Sequence, residues 1–373
     1  MRILYYASVR GHHMLLWQRI HILDELSAHG VEFEEFDPEQ YPSEDEAMSA
    51  LRQVLKSRHF DLFVTAYGKK YITAELLNEV RASGVPSLLF CPDNLLVPYT
   101  HLEIARHIDL VWLTARETQY MFDKVGARTI FLPYAANPAI YRGCTTGPCN
   151  RVLFVGNPYG SRSNMINAVA SAGVDVDLYV GGERSVDGKG GVLAKYGDRM
   201  GAAFNLLRFP VGRRVLLGAL KQKVSRSRGL AESPRIHRYP SLSFSDMYEA
   251  YARYAVSLAS TAARNTGVLR HPVNVINLRS FEIPASGGVQ LCAYSEELAG
   301  YFEEGREIVF YRSQDELAER SRYLTSERAS GELARIRRDA RTRAVRDHTW
   351  TIRFAQVFSR LGLRGVPDQM RLK

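Results

Sequence analysis

From Arg2 onward, short apolar runs alternate with helical stretches that close on glycine, and that rhythm leaves few folds open. Residues 2–8 read as a strand, 14–29 as an amphipathic helix closed by Gly30, and 31–36 as a second strand. A helix over 45–57, a strand over 61–66, a helix over 73–83 closed by Gly84 and a strand over 86–91 follow. Two further short strands, 110–114 and 129–132, flank a helix at 116–125. Strands that alternate with helices pair in parallel, with helices on both faces of the sheet. The expected fold class is α/β, beginning with a Rossmann-like domain over residues 1–140.

Around Pro133 to Asn150 the rhythm stops, and proline, glycine and threonine mark a linker. A fresh strand starts at Arg151, and a second alternation runs through a helix near 163–172, strands at 174–180 and 254–260, a helix at 275–283 and a strand at 288–293. Residues 151–345 therefore form a second α/β domain, with 201–238 as an insertion and a closing helix over 349–361. A chain of 373 residues is long enough for two cores of this kind.

Hydrophobic residues at 46% and charged residues at 24% suit a soluble globular chain. No apolar run reaches the roughly 18 residues that cross a bilayer. The first strand has charges on both flanks and no cleavage signal, so the expected location is cytoplasmic. Cys91 and Cys292 sit in strand-like apolar runs and read as core thiols. Cys144 and Cys149 flank a turn, but a reducing compartment disfavours their disulfide, and their spacing suits no zinc site.

Lysine and arginine exceed aspartate and glutamate by 49 to 40, giving +9 and favouring anionic partners: a nucleotide, a phospholipid surface or nucleic acid. The excess gathers at Arg208 to Arg238 and at Arg335 to Arg346. The second cluster is the solvated face of a helix whose Leu333, Ile336, Ala340 and Ala344 face inward. In the first, Leu216, Leu217, Leu220 and Val224 share one face of a helix over 211–224. That face suits either anionic lipid at the periphery of a membrane or packing on its own domain, and Gly212 and Gly218 favour the second.

Two stretches carry chemistry. VLFVGNPYGSR (152–162) is a strand, a glycine turn and a helix start, so backbone N–H groups at Gly156 and Asn157 can approach a phosphate. Arg162 adds a guanidinium that can stabilise a departing diphosphate. LRSFEIPASGGVQLCAY (278–294) joins a helix to a buried strand through a small-residue turn, with Glu282 among core positions. A carboxylate there binds something or pairs with a neighbour such as Arg279.

FVGNPYGSR, MYEAYARYAVSLAS, LRSFEIPASGG and RDHTWTIRF, with DLFVTAYG, CPDN, IDLVWLTARETQYMFDKVGA and LPYAANPAIY before them, resemble the CgeB-like (spore maturation protein) glycosyltransferases. The resemblance covers the chain apart from 185–235. It implies a GT-B enzyme, in which two Rossmann-like domains face each other across a cleft. The N-terminal domain would take the acceptor, the C-terminal one would bind a nucleotide-sugar donor, and the final segment, 346–373, would return to the first domain. Related retaining transferases carry an E-x7-E pattern whose second Glu opens an Ala-x-Gly turn and holds the nucleotide ribose. Glu282, before Ala285 and Gly287, corresponds to that Glu. Where the first should stand this chain has Asn274, which can meet a sugar hydroxyl without a charge or act as a helix N-cap.

The resemblance also implies that a helix start at Asn274, Val275 and Ile276 aims N–H groups at the diphosphate, with Arg279 as a second cation. His12 and His13 follow the first strand at the carboxyl edge where open α/β sheets place ligands. Asp93 follows SLLFCP in the same way and is the candidate carboxylate for an acceptor hydroxyl; its plainer role is an Asx turn with Asn94. Tyr134 and Asn137 lie near the domain boundary. The only Asp-x-Asp, Asp175 with Asp177, opens a strand and so lies at the wrong end for a metal at the cleft. No metal or other cofactor is therefore expected, and cations would replace it. The expected activity is metal-independent, retaining transfer of a sugar from a nucleotide diphosphate to an acceptor hydroxyl. Two rivals are a basic protein that only binds nucleic acid or an anionic surface, and a GT-B epimerase. The first lacks any helix-turn-helix, RNP or zinc pattern, so no nucleic acid is expected.

Overall fold

Six parallel strands build each of two sheets. The computed structural model describes residues 1–7, 13–68, 71–141, 148–181, 201, 203–224 and 229–370. They form two units, Met1–Asn137 with His348–Lys373, and Pro138–Asp347.

The first unit runs β1 (Arg2–Tyr6), α1 (His13–Gln18), α2 (Asp24–Ala28), β2 (Glu32–Phe36), α3 (Glu44–Ser57), β3 (Leu62–Thr65), α4 (Ala74–Ala82), β4 (Ser87–Cys91), α5 (Leu102–Ala105), β5 (Leu110–Leu113), α6 (Gln119–Lys124) and β6 (Thr129–Phe131). Its sheet order is β2-β1-β3-β4-β5-β6, every pairing parallel. Central strands such as LFVT and SLLFC are buried along their whole length, as a sheet covered on both faces requires. The helix expected over 14–29 is interrupted: a π-helical turn, Arg19–Leu23, separates α1 from α2, and His21, Ile22 and Leu23 are buried in succession within it.

The second unit runs β7 (Cys149–Val155), α7 (Ser161–Ser171), β8 (Val176–Val180), α8 (Pro210–Val224), β9 (Ile236–Pro240), α9 (Phe244–Arg253), β10 (Tyr254–Ala259), α10 (Arg279–Ala285), β11 (Gln290–Ala293), α11 (Glu296–Ala299), β12 (Val309–Tyr311), α12 (Gln314–Leu324) and α13 (Ser330–Asp347). The order is β12-β11-β10-β7-β8-β9, again wholly parallel. Its strand order reverses between β7 and β10, and such switch points are where open α/β sheets bind ligands.

The expectation for the leucine face of 211–224 is corrected. In α8 the buried side is Val211, Gly212, Val215 and Gly218, while Leu217 and Leu220 are exposed. The glycines are the reason. A Cβ on Gly218 would lie 2.8 Å from the Asn265 carbonyl, so the helix lies backbone-close on the turn Arg264–Val268 only through its small face. The helix expected at 275–283 begins only at Arg279. Asp175 and Asp177 lie at the amino end of β8. Asp177 is buried and accepts from Arg151 (3.0 Å) and Tyr254 (2.6 Å), and Asp175 pairs with Arg235 and His237.

The last helix, α14 (Trp350–Leu361), belongs to the first unit. Trp350 is fully buried among Trp17, Phe90 and Trp112, with ring centroids 5.5–6.0 Å away. A carboxylate 325 residues earlier holds the helix start. Glu25 of α2 accepts from Trp350 N–H (3.3 Å), Thr351 N–H (2.9 Å) and the Thr351 hydroxyl (2.6 Å), giving the first turn the acceptors it lacks. Burial nevertheless outweighs these donors and raises the Glu25 carboxyl from 4.5 to about 7.

Between those two values the folded chain keeps a proton on Glu25 that the unfolded chain has released. Stability is therefore greatest below 4.5 as far as this group is concerned, and falls as pH rises through 7, by roughly 3 kcal/mol. Urea titrations at pH 5 and pH 8 should show a larger loss for the parent than for Glu25→Gln; equal losses would contradict the raised carboxyl.

Candidate functional site

The second unit's switch point gathers the turn after β7, the loop after β10 and the start of α10. Gly156 adopts φ +124°, and a Cβ there would lie 2.8 Å from Nη2 of Arg279. Glycine is required twice, by the backbone angle and by the guanidinium lying against it. Arg162 stands on the first turn of α7, its guanidinium 4.3 Å above the Tyr159 ring and donating to the Asn157 carbonyl at 3.4 Å. Burial, and the neighbouring Arg279 charge, pull Arg162 below the usual arginine value. Among the described residues neither guanidinium forms a salt bridge, Glu282 included. Two cations held together without a carboxylate favour an anion between or above them.

Arg279 is positioned from below and behind. Asn277 accepts from the Arg279 N–H at 3.1 Å through its side-chain oxygen and donates to the Ser260 carbonyl at 2.9 Å. The Tyr251 hydroxyl lies against the Arg279 guanidinium. Asn277, Tyr251 and Tyr159 carry no signal in the sequence, because each acts through a neighbour that only the packing of α9, α10 and the β7 turn supplies.

Asn274, Val275 and Ile276 do not start a helix, which corrects their expected role. They run extended and pair back on the segment after β10: Val275 N–H donates to the Thr261 carbonyl at 2.7 Å, and Ala263 N–H to the Val273 carbonyl at 2.7 Å. Pro272 disfavours helix just before, and the Val275 N–H is already engaged. Ile276 is core, 2% exposed. Asn274 instead accepts from the Thr261 hydroxyl at 3.2 Å and lines a cavity of about 470 Å³ with Ser161, Asn164, Lys221 and Tyr294. That volume lies in the range of small-molecule sites.

Glu282 sits at the end of the first turn of α10, 2% exposed. It does not line that cavity. Burial drives the phenols of Tyr141, Tyr248 and Tyr251 upward, and the charge of Glu282 adds to this at all three, opposed at Tyr251 by Arg279. Tyr141 and Tyr248 meet edge to face at 4.4 Å.

In the first unit, His12 lies outside the described residues, and His13 opens α1 with its side chain likewise outside them. Asp93 is exposed just beyond β4 with φ +53°, the only described non-glycine residue with a left-handed backbone. Tyr134 accepts from its N–H at 3.0 Å and donates to its carboxylate at 3.1 Å. Asn94 is fully buried and clamps Thr114, Ala115 and Thr118. Tyr134 and Asn137 are buried supports, the latter donating to the Ile20 carbonyl. A separate cavity of about 410 Å³ is lined by Tyr6, Tyr41, Tyr71, Met48, Glu39 and Glu44.

Residues 207–359 match a family model described as glycosyl transferase-like. Solved structures match nearly the whole chain. A sucrose-phosphate synthase from Thermosynechococcus elongatus has 12% identity and a TM-score of 0.58, covering 97% of this chain and 99% of its own. Anabaena Alr3699/HepE, solved with UDP-glucose, has 14% identity and a TM-score of 0.56 over the same shares. An alpha-glucosyltransferase solved with UDP and DNA has 11% identity and a TM-score of 0.60, also over 97% and 99%. No curated protein sequence matches this chain. The fold is GT-B, and with the family match over residues 207–359 it defines the class: the chain is a glycosyltransferase.

Gly156→Ala should weaken binding of inorganic pyrophosphate at least tenfold by calorimetry, since its Cβ displaces Arg279. Gly173→Ala, with φ +86° but open space around it, carries similar backbone strain of about 1–3 kcal/mol without touching the arginine. Equal affinities in the two variants would remove Gly156 from the site.

Proposed function

We propose that this enzyme transfers a sugar from a nucleotide-diphosphate donor to an acceptor hydroxyl, and that it is a CgeB-like member of its class. The observation that carries the donor reading is the pair Arg162 and Arg279 on the Gly156 turn, two guanidiniums with no carboxylate partner among the described residues. As the bond from the anomeric carbon to the diphosphate oxygen breaks, negative charge gathers on that oxygen. Cations already in place there stabilise it without reorganising. The cavity beside Asn274 takes the rest of the donor. Similarly folded proteins solved with UDP and with UDP-glucose support a nucleotide-sugar.

Metal independence is proposed on the same pair, because both carboxylates of Asp175-x-Asp177 are already engaged in ion pairs at the amino edge of the sheet. Retention follows only from the resemblance. On the acceptor side, Asp93 is the proposed group for the hydroxyl, and His12 and His13 remain candidates beside it. Its left-handed backbone, held by Tyr134, presents an exposed carboxylate at the carboxyl edge of the first sheet.

Glu282 is proposed as the ribose ligand. Its burial means that the phenol of Tyr141 or Tyr248 must move aside for two ribose hydroxyls to reach it.

Thermal-shift measurements with UDP, GDP, dTDP and their sugars test these assignments. One nucleoside diphosphate should stabilise the parent, and Arg279→Met should reduce its affinity about 10- to 100-fold, as loss of a charge-assisted contact does. Glu282→Ala should cost a similar factor for the nucleotide and nothing for pyrophosphate. An unchanged nucleotide shift would instead make Glu282 a support for the tyrosines behind Arg279. Donor turnover to a changed nucleotide-sugar without acceptor would establish an epimerase in place of a transferase.

A further inference from the structure

Every large apolar side chain that is more than half exposed, among the described residues, lies in one stretch of 22 residues. They are Phe204 (64%), Leu207 (53%), Leu217 (57%), Leu220 (61%) and Val224 (82%). The same stretch, 203–224, carries Arg208, Arg213, Arg214, Lys221 and Lys223, all exposed, and not one aspartate or glutamate. The chain here concentrates what a water-facing surface avoids, and surrounds it with one sign of charge.

The arrangement on α8 is ordered. At 3.6 residues per turn, Leu217, Leu220 and Val224 share the side opposite the buried Val211, Val215 and Gly218. Lys223 borders this apolar strip on one side, and Arg214 and Lys221 border it on the other. The small face that packs inward is fixed by close backbone approach, since a Cβ on Gly212 would overlap the Leu206 carbonyl and one on Gly218 the Asn265 carbonyl. The helix therefore cannot roll its leucines inward.

We propose that α8, with the segment 203–209 before it, lays this enzyme on an anionic lipid bilayer. The apolar strip would enter the boundary between headgroups and acyl chains, and the flanking cations would reach the lipid phosphates along their apolar stems. Charge selects this occupant over a second copy of the chain, because self-association would press five cations against five. The apolar strip selects it over nucleic acid, which offers that strip no apolar boundary to enter. No described helix is long and apolar enough to cross a membrane, so the contact is peripheral. Lys221 also lines the 470 Å³ cavity, so the same helix that meets lipid forms one wall of the candidate donor site. The surface consists of exposed apolar groups and cations and does not depend on the donor assignment.

Flotation with phosphatidylcholine vesicles, with and without phosphatidylglycerol, tests the inference on the whole chain. Binding should need phosphatidylglycerol and fall at least about tenfold as salt screens the cations. Leu217→Ser with Leu220→Ser should reduce it by a similar factor at constant charge, and Arg213→Gln with Lys223→Gln likewise. Both pairs are exposed, so the melting temperature should not move. Failure of the parent to float with phosphatidylglycerol, or full binding by the serine variant, would overturn the proposal. So would a dimer in solution that the serine substitutions dissolve.

Discussion

Both sheets are parallel throughout, and that polarity constrains nearly everything else. A parallel neighbour can be reached only by a crossover, so helices cover the faces and the central strands are buried on both sides. Every crossover leaves the sheet at its carboxyl edge, so loops able to hold ligands collect at that one edge. In the second sheet the strand order turns around between β7 and β10. The loops after those strands diverge there, and Gly156, Ser260 and Arg279 meet in the opening.

At that opening, like charges are brought together and held. Arg279 is set by Asn277, backed by Tyr251 and accommodated by a glycine; Arg162 lies on Tyr159. Each contact is neutral, so the positive charge stays available to a bound anion. This is preorganisation achieved with phenols, amides and backbone. Glu282 sets the electrostatics behind it, its charge acting on three buried tyrosines.

Much of this was legible in the sequence. The strand runs, the glycine turn at 156–160 and the cationic positions Arg162 and Arg279 announce themselves by composition and period. The segment 274–276 did not, because its apolar pattern fits helix and strand alike, and pairing with Thr261 and Ala263 decided between them. Asp93 was legible as a candidate, but its left-handed backbone and its partner Tyr134, 41 residues on, were not. The leucine face of α8 came out differently for a related reason. Gly212 and Gly218 weaken a free helix and so favoured packing of the leucines on their own domain, yet the same glycines permit a closer approach than leucine can, and the small face went inward.

The sequence by itself determined the architecture. Period, glycine punctuation and the break near Pro133 suffice for two α/β units, because those signals act over a few residues. Tertiary structure decided what no local pattern encodes: that Glu25 receives the start of a helix 325 residues later, that Arg279 lies on Gly156, and which face of α8 meets water. These depend on distances between segments remote in the chain. Whether a polar or apolar group is buried, paired or exposed is settled only when those segments pack.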